Sequence, residues 1–170
     1  MKAKSRYIVL IMGFVALLTS CKIYSFSGAN IDPAIQTVSI TYFNNNSGNG
    51  PASASDLFTE ALKQKILRET NLRLVNGGGD VHFEGEIVDY TYTIQAPSGN
   101  ETSDLRRITM AVKVSYIDYV TGEEGFKDQQ FSRYVDYPVS EDISGIEDAL
   151  IDEINTLLVD DIFNKAFVKW

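Results

Sequence analysis

The sequence predicts an α+β domain of order β-α-β-β-β-β-α, with two amphipathic helices on one face of a mixed, mostly antiparallel sheet of four to five strands. Three observations carry this. Two stretches, starting near Ser53 and Ser144, repeat apolar residues at helical spacing. Others alternate apolar and polar residues, as half-buried strands do. Between Val81 and Val135, three strand patterns follow one another across short polar loops, the mark of antiparallel hairpins. One-sided helices need a sheet to bury against. The first helix lies between two strand patterns, and a crossover of that kind joins parallel strands.

Ahead of the domain, Lys2, Lys4 and Arg6 precede an apolar run from Tyr7 to Leu18. At ~1.5 Å per residue the run makes roughly 18 Å of helix, short of the ~30 Å hydrocarbon core of a bilayer. It suits the apolar region of a secretory signal. Leu18-Thr19-Ser20-Cys21 follows, and it resembles the lipobox of bacterial lipoproteins. In those proteins the cysteine is acylated and becomes the first mature residue. Residues 1–20 therefore read as a signal peptide, residues 21–35 as a lipidated tether, and residues 36–170 as one domain. An ordinary cleaved signal would leave Cys21, the only cysteine, as an odd unpaired thiol in an exported protein. Position 22 is lysine rather than an aspartate that favours inner-membrane retention, which points to the periplasmic face of the outer membrane.

The elements follow in order. Thr37–Phe43 alternates, with Val38, Ile40 and Tyr42 on one face. The Asn/Gly/Ser run from Asn44 to Pro51 is a loop. Ser53 and Asp56 resemble a capping box that opens a helix reaching Thr70, with Leu57, Phe58, Ala61, Leu62, Ile66 and Leu67 on its apolar face. Leu72–Val75 is a short strand ended by Gly77-Gly78-Gly79. Val81–Ile94 is a long strand whose apolar parity switches, which predicts a bulge near Asp89. After a loop from Pro97 to Ser103 come strands Leu105–Val120 and Phe126–Val135, joined by a turn at Thr121–Gly125. Ser144 and Glu147 form a second capping-box match. The last helix carries Ile146, Leu150, Ile154, Leu157, Leu158 and Ile162 inward and ends near Phe167.

Composition narrows the function. The whole chain has a net charge of −8. Residues 1–20 hold three basic and no acidic side chains, so without them 12 Lys and Arg face 23 Asp and Glu, about −11 net. Such a chain does not suit a nucleic-acid backbone, which is met by cationic patches. With Cys21 acylated, no thiol is left for metal or nucleophilic chemistry. His82 is the only histidine and sits on a strand between apolar neighbours. The triple glycine has no following lysine and helix, so it reads as a turn rather than a phosphate cradle. Glu84 and Glu86 share a strand face, but a general acid–base pair needs environments that split two pKa values. No catalytic residue, metal ligand or cofactor is expected. Tyr90 and Tyr92 are either sheet core or a contact patch for a partner, since tyrosine suits surfaces apolar at one end and wet at the other.

The order of features resembles the LptE family, lipoprotein partners of the lipopolysaccharide-assembly barrel. The similar stretches are Tyr24-Ser25-Phe26-Ser27-Gly28, Val38-Ser39-Ile40 with Phe43-Asn44, and Phe58-Thr59-Glu60-Ala61-Leu62. Further on they are Leu72-Arg73-Leu74-Val75, Gly79-Asp80, Phe83-Glu84-Gly85-Glu86-Ile87, and the last helix from Glu147-Asp148 to Asp161-Ile162-Phe163-Asn164-Lys165-Ala166. Lys22 departs from the glycine that often follows the family cysteine. The resemblance implies two helices on a mixed sheet, and a plug seated in an LptD-like outer-membrane barrel that assembles lipopolysaccharide. It carries over no ligand site. The residues themselves offer Arg106 and Arg107, with Lys113 further along the polar face of Arg107, as candidate lipopolysaccharide contacts. The other reading is a free-standing periplasmic lipoprotein that binds a glycan or another envelope protein.

Overall fold

The computed structural model describes residues 30–95, 105–122 and 125–168. Cys21, the signal segment and most of the Pro97–Ser103 loop fall outside them. The elements are β1 (Thr37–Ile40), β2 (Asn44–Asn45), α1 (Ser53–Glu69), β3 (Arg73–Val75), β4 (Val81–Gln95), β5 (Leu105–Asp118), β6 (Phe126–Pro138) and α2 (Ile143–Phe167). They form one six-stranded sheet of order β3-β1-β4-β5-β6, with β2 beside β4. The expected α+β class and element order hold, with one short strand more than expected.

β1 lies parallel to both β3 and β4, and β2 is parallel to β4. α1 is the crossover between β1 and β3, as a parallel pair requires. β4, β5 and β6 form an antiparallel meander. Both helices cover one face. The core between them and the sheet holds Val38, Phe58, Leu62, Ile66, Phe83 and Ile87, with Ile108, Met110, Ile154, Leu158 and Ile162, all fully buried. Among the described residues no helix lies on the other face of the sheet.

The extra strand comes from a break in the first one. β1 ends at Ile40, and the chain resumes pairing at Asn44. The step between them turns Tyr42 outward, where its hydroxyl donates to Asp56 (3.0 Å), and swings Phe43 fully into the core. Phe43 packs edge-on to Phe58 with centroids 5.0 Å apart. Its backbone N–H donates to Thr59 Oγ1 at 3.1 Å. Gly85 makes room: a Cβ there would lie 2.6 Å from the Phe43 ring and 2.0 Å from the Lys113 carbonyl oxygen. Tyr42 therefore leaves the face on which simple alternation puts it.

The expected parity switch in β4 is a bulge. Pairing with β5 steps from Ile87↔Val112 to Asp89↔Ala111, leaving Val88 over. The inserted residue keeps both Ile87 and Tyr90 on the helix side, where both are fully buried. A second irregularity lies between Val114 and Tyr116 on β5. There Asp128 of β6 takes φ 52°, and its N–H donates to Ser115 Oγ (3.0 Å).

Both helix starts differ from the capping-box reading. α1 has Ala52 at its N-cap with no side-chain bond, and Ser53 instead donates to Asp148 of α2 (2.8 Å). α2 begins two residues earlier than expected, capped by Asp142 rather than Ser144, and the Asp142 carboxylate accepts from the N–H and hydroxyl of Ser144. A carboxylate at that position satisfies free N–H groups of the first turn. The buried stripe of α2 is also displaced. Ile151, Val159, Phe163 and Phe167 join it, while Leu157 is exposed.

Candidate functional site

The residues singled out in the sequence fall on the two faces of the β4–β5–β6 meander. Alternation along β5 puts Ile108, fully buried, and Arg106 on the helix side, with Arg107 and Lys113 on the open side. Arg106 and Arg107 therefore do not form one basic pair. Arg107 and Lys113 share a face but stand about 20 Å apart, six residues at ~3.4 Å each.

On the open face, Arg107 lies directly across from Asp136. Its guanidinium makes two parallel bonds to that carboxylate, at 2.7 and 2.8 Å. The group also stacks over the Tyr134 ring, 3.6 Å from the centroid. The paired geometry is the strong form of a charged hydrogen bond. It holds the Asp136 carboxyl below the usual carboxylate range and raises the guanidinium pKa. Lys113 stands 4.0 Å from Glu86. His82 Nε2 stands 3.8 Å from Glu84, and its ring also meets Ser39 Oγ (2.8 Å) and Thr41 Oγ1 (3.2 Å). Ser39 is only 2% exposed, and its hydroxyl oxygen also accepts the Gly79 N–H, so substrate has no approach to it. This Ser–His contact pins β1 to β4.

On the helix side, Tyr90 and Tyr92 stack edge to face with centroids 5.4 Å apart. Both hydroxyls donate to one oxygen of Glu147, on the first turns of α2; the Tyr90 bond is 3.0 Å. Burial, then the neighbouring phenol and carboxylate, push the Tyr90 hydroxyl pKa far up. Burial and the Glu147 bond push Tyr92 up to about 12. Tyr90 is fully buried, so in the folded chain no partner reaches it. Tyr92 is 47% exposed and does present a surface. Beyond it, Ile94 is 75% exposed and lies opposite Arg106 in the hairpin.

The sequence reading missed Glu147 as a double acceptor, and Tyr134 and Asp136 as the partners of Arg107. The last two are legible only once the β5–β6 register is known. Among the described residues no group of three His, Cys, Asp or Glu side chains is placed to hold a metal ion. Among them, too, no helix is long and apolar enough to cross a membrane. Cys21 lies outside the described residues. What the site offers is recognition: a polar sheet face whose charges are paired with one another, and a hairpin end with an exposed aromatic ring.

Comparison with known proteins agrees with this architecture. Residues 35–166 match the family model described as LptE, lipopolysaccharide-assembly. No curated protein matches the chain. Among solved structures, a hypothetical protein from Chlamydia trachomatis is 11% identical, covering 79% of this chain and 98% of its own, with TM-score 0.51. A homologue of neuraminyllactose-binding hemagglutinin from Helicobacter pylori is 8% identical, covering 81% and 85%, with TM-score 0.52. A minor lipoprotein from Acinetobacter baumannii is 17% identical, covering 78% and 92%, with TM-score 0.47. At these identities the first two structures bear on fold alone. The family match spans nearly the whole sheet and both helices, and on it the chain belongs to the LptE family of lipopolysaccharide-assembly lipoproteins.

Proposed function

We propose that this protein is an outer-membrane lipoprotein, acylated at Cys21 and held at the periplasmic face, that plugs an LptD-like barrel and assists its assembly of lipopolysaccharide. The observation that carries the reading is the family match over residues 35–166. The open sheet face supports it. A large barrel has a polar interior. A plug suited to it needs a polar surface whose charges are already paired, as Arg107 is with Asp136 and Lys113 with Glu86. The work is binding and positioning, with no bond made or broken.

For lipopolysaccharide itself the candidate contacts remain Arg106, Arg107 and Lys113, and Tyr92 is the candidate contact for the barrel. Arg106 is the strongest of the cations. Both forks of Arg107 are taken by Asp136, whereas Arg106 has no acidic partner among the described residues. Arg106→Ala should therefore weaken lipopolysaccharide binding more than Arg107→Ala at matched thermal stability. Equal or absent effects remove Arg106 from the site.

The main reading is tested by tagging the protein at native expression and purifying it in mild detergent. A large barrel should come with it. Recovery of the lipoprotein alone, with surface lipopolysaccharide unchanged on depletion, returns the free-standing reading.

A further inference from the structure

The tether fixes which end of the domain meets the membrane. Eight residues lie between Cys21 and Asn30, so nine residue steps span at most about 30 Å of extended chain. Asn30 donates its N–H to the Phe167 carbonyl (2.9 Å), so the chain joins the domain at the C-terminal end of α2. The turn between β5 and β6 lies at the same end. Asn30, Asp32, Asp118, Thr121, Phe126 and Phe167 line one cleft of about 450 Å³.

That turn is held in a way that presents two side chains. The Asp118 carboxylate accepts the N–H groups of Val120 (2.8 Å) and Thr121 (2.9 Å). The Tyr119 N–H donates to the Asp80 carbonyl (2.9 Å). With the backbone tied inward, Tyr119 is 64% exposed and Val120 42% exposed. A tyrosine ring with a polar tip is the side chain enriched at the water boundary of bilayers. The domain has a second apolar tip, Tyr92 and Ile94, at the far end of the β4–β5 hairpin, and the strand puts that tip about 40 Å away. Only the first tip lies where the tether enters.

We propose that Tyr119 and Val120 contact the lipid interface, so that the anchored domain, before it enters a barrel, stands on this turn with the β4–β5 hairpin pointing away from the lipid. The proposal rests on anchoring at residue 21. The partner is a zwitterionic lipid surface, because Asp32 and Asp118 line the adjoining cleft at this end and disfavour anionic headgroups. The contact makes the anchored domain upright rather than freely tumbling, with Tyr92 and Ile94 held at a fixed height.

The test uses Val120→Cys and Ile94→Cys, each labelled with an environment-sensitive fluorophore, in the lipidated protein on vesicles of phosphatidylethanolamine and phosphatidylcholine. A blue shift and loss of iodide quenching are expected at position 120 and not at 94, and Tyr119→Ser should reduce the shift. A second arrangement replaces Cys21 with a hexahistidine tag bound to nickel-chelating lipid. The anchor is then supplied, and acylation is checked separately by the mass of the N-terminal peptide. A water-like probe at 120 in both arrangements overturns the proposal, as does a shift at 94 in place of 120.

Discussion

Asn155 sits in the middle of α2, fully buried, and neither its amide nitrogen nor its amide oxygen has a hydrogen-bond partner. An unpaired buried amide costs about 1–3 kcal/mol. Asn155→Leu, similar in size and apolar, should therefore stabilise the domain by about that amount, read as a raised midpoint in urea with unchanged slope. Arg107 and Asp136 make the opposite case, two groups fully used by each other. The folded carboxyl is held below its ordinary range. Its contribution is thus complete above the unfolded value of about 3.9 and is lost as pH falls through the lower folded one. Asp136→Asn should cost stability at neutral pH, and that cost should fade in strong acid. A cost that stays constant through the acid range would show that the charge of Asp136 is not what matters. Neither residue's state could be read in advance. Asn155 looks like a polar helix position, and Asp136 meets Arg107 only across a strand register that no local pattern states.

Glu147 shows what one side chain does for two elements. It ties the first turns of α2 to the outer half of β4, accepting from both Tyr90 and Tyr92. Tyr90 is fully buried, so Glu147→Ala leaves its hydroxyl unpaired at about 1–3 kcal/mol, whereas Glu147→Gln keeps an acceptor and should cost less. Hydrogen exchange should report faster opening for Tyr90–Ile94 in the alanine variant before global unfolding changes. The sequence placed these elements well because their signals are long. The alternation of β5 runs unbroken from Ile108 to Tyr116, and the β4 parity switch is the bulge itself. It placed their ends less well. Ser53 and Ser144 each look like a cap, but Ser53 is drawn off by Asp148, and Asp142 caps α2. The break after Ile40 escaped notice because Tyr42 and Phe43 both fit a strand, and only the pocket over Gly85 decides which one goes inward.

At the scale of the whole molecule, the anchor and the fold are separable. Residues 35–168 supply the core: both helices, all six strands and the aromatic cluster that Phe83, Tyr116 and Phe167 form near the tether end. The first described tether contact, Asn30 to Phe167, adds one backbone hydrogen bond to it, about 1 kcal/mol in net terms. The acyl chains proposed on Cys21 would contribute to membrane affinity instead, at ~0.8 kcal/mol for each buried CH₂. Cys21→Ala should therefore leave the unfolding midpoint of the domain nearly unchanged while removing the protein from the membrane fraction. On the proposed reading, the same variant should lose co-purification with the barrel in cells more than it loses binding to that barrel when both are mixed at high concentration in detergent. That difference follows from effective concentration, since an anchor that keeps the domain near its partner raises occupancy without adding a contact. If binding in detergent is lost as completely as co-purification, the lipid or the tether is itself part of the recognition surface, and position alone does not explain its role.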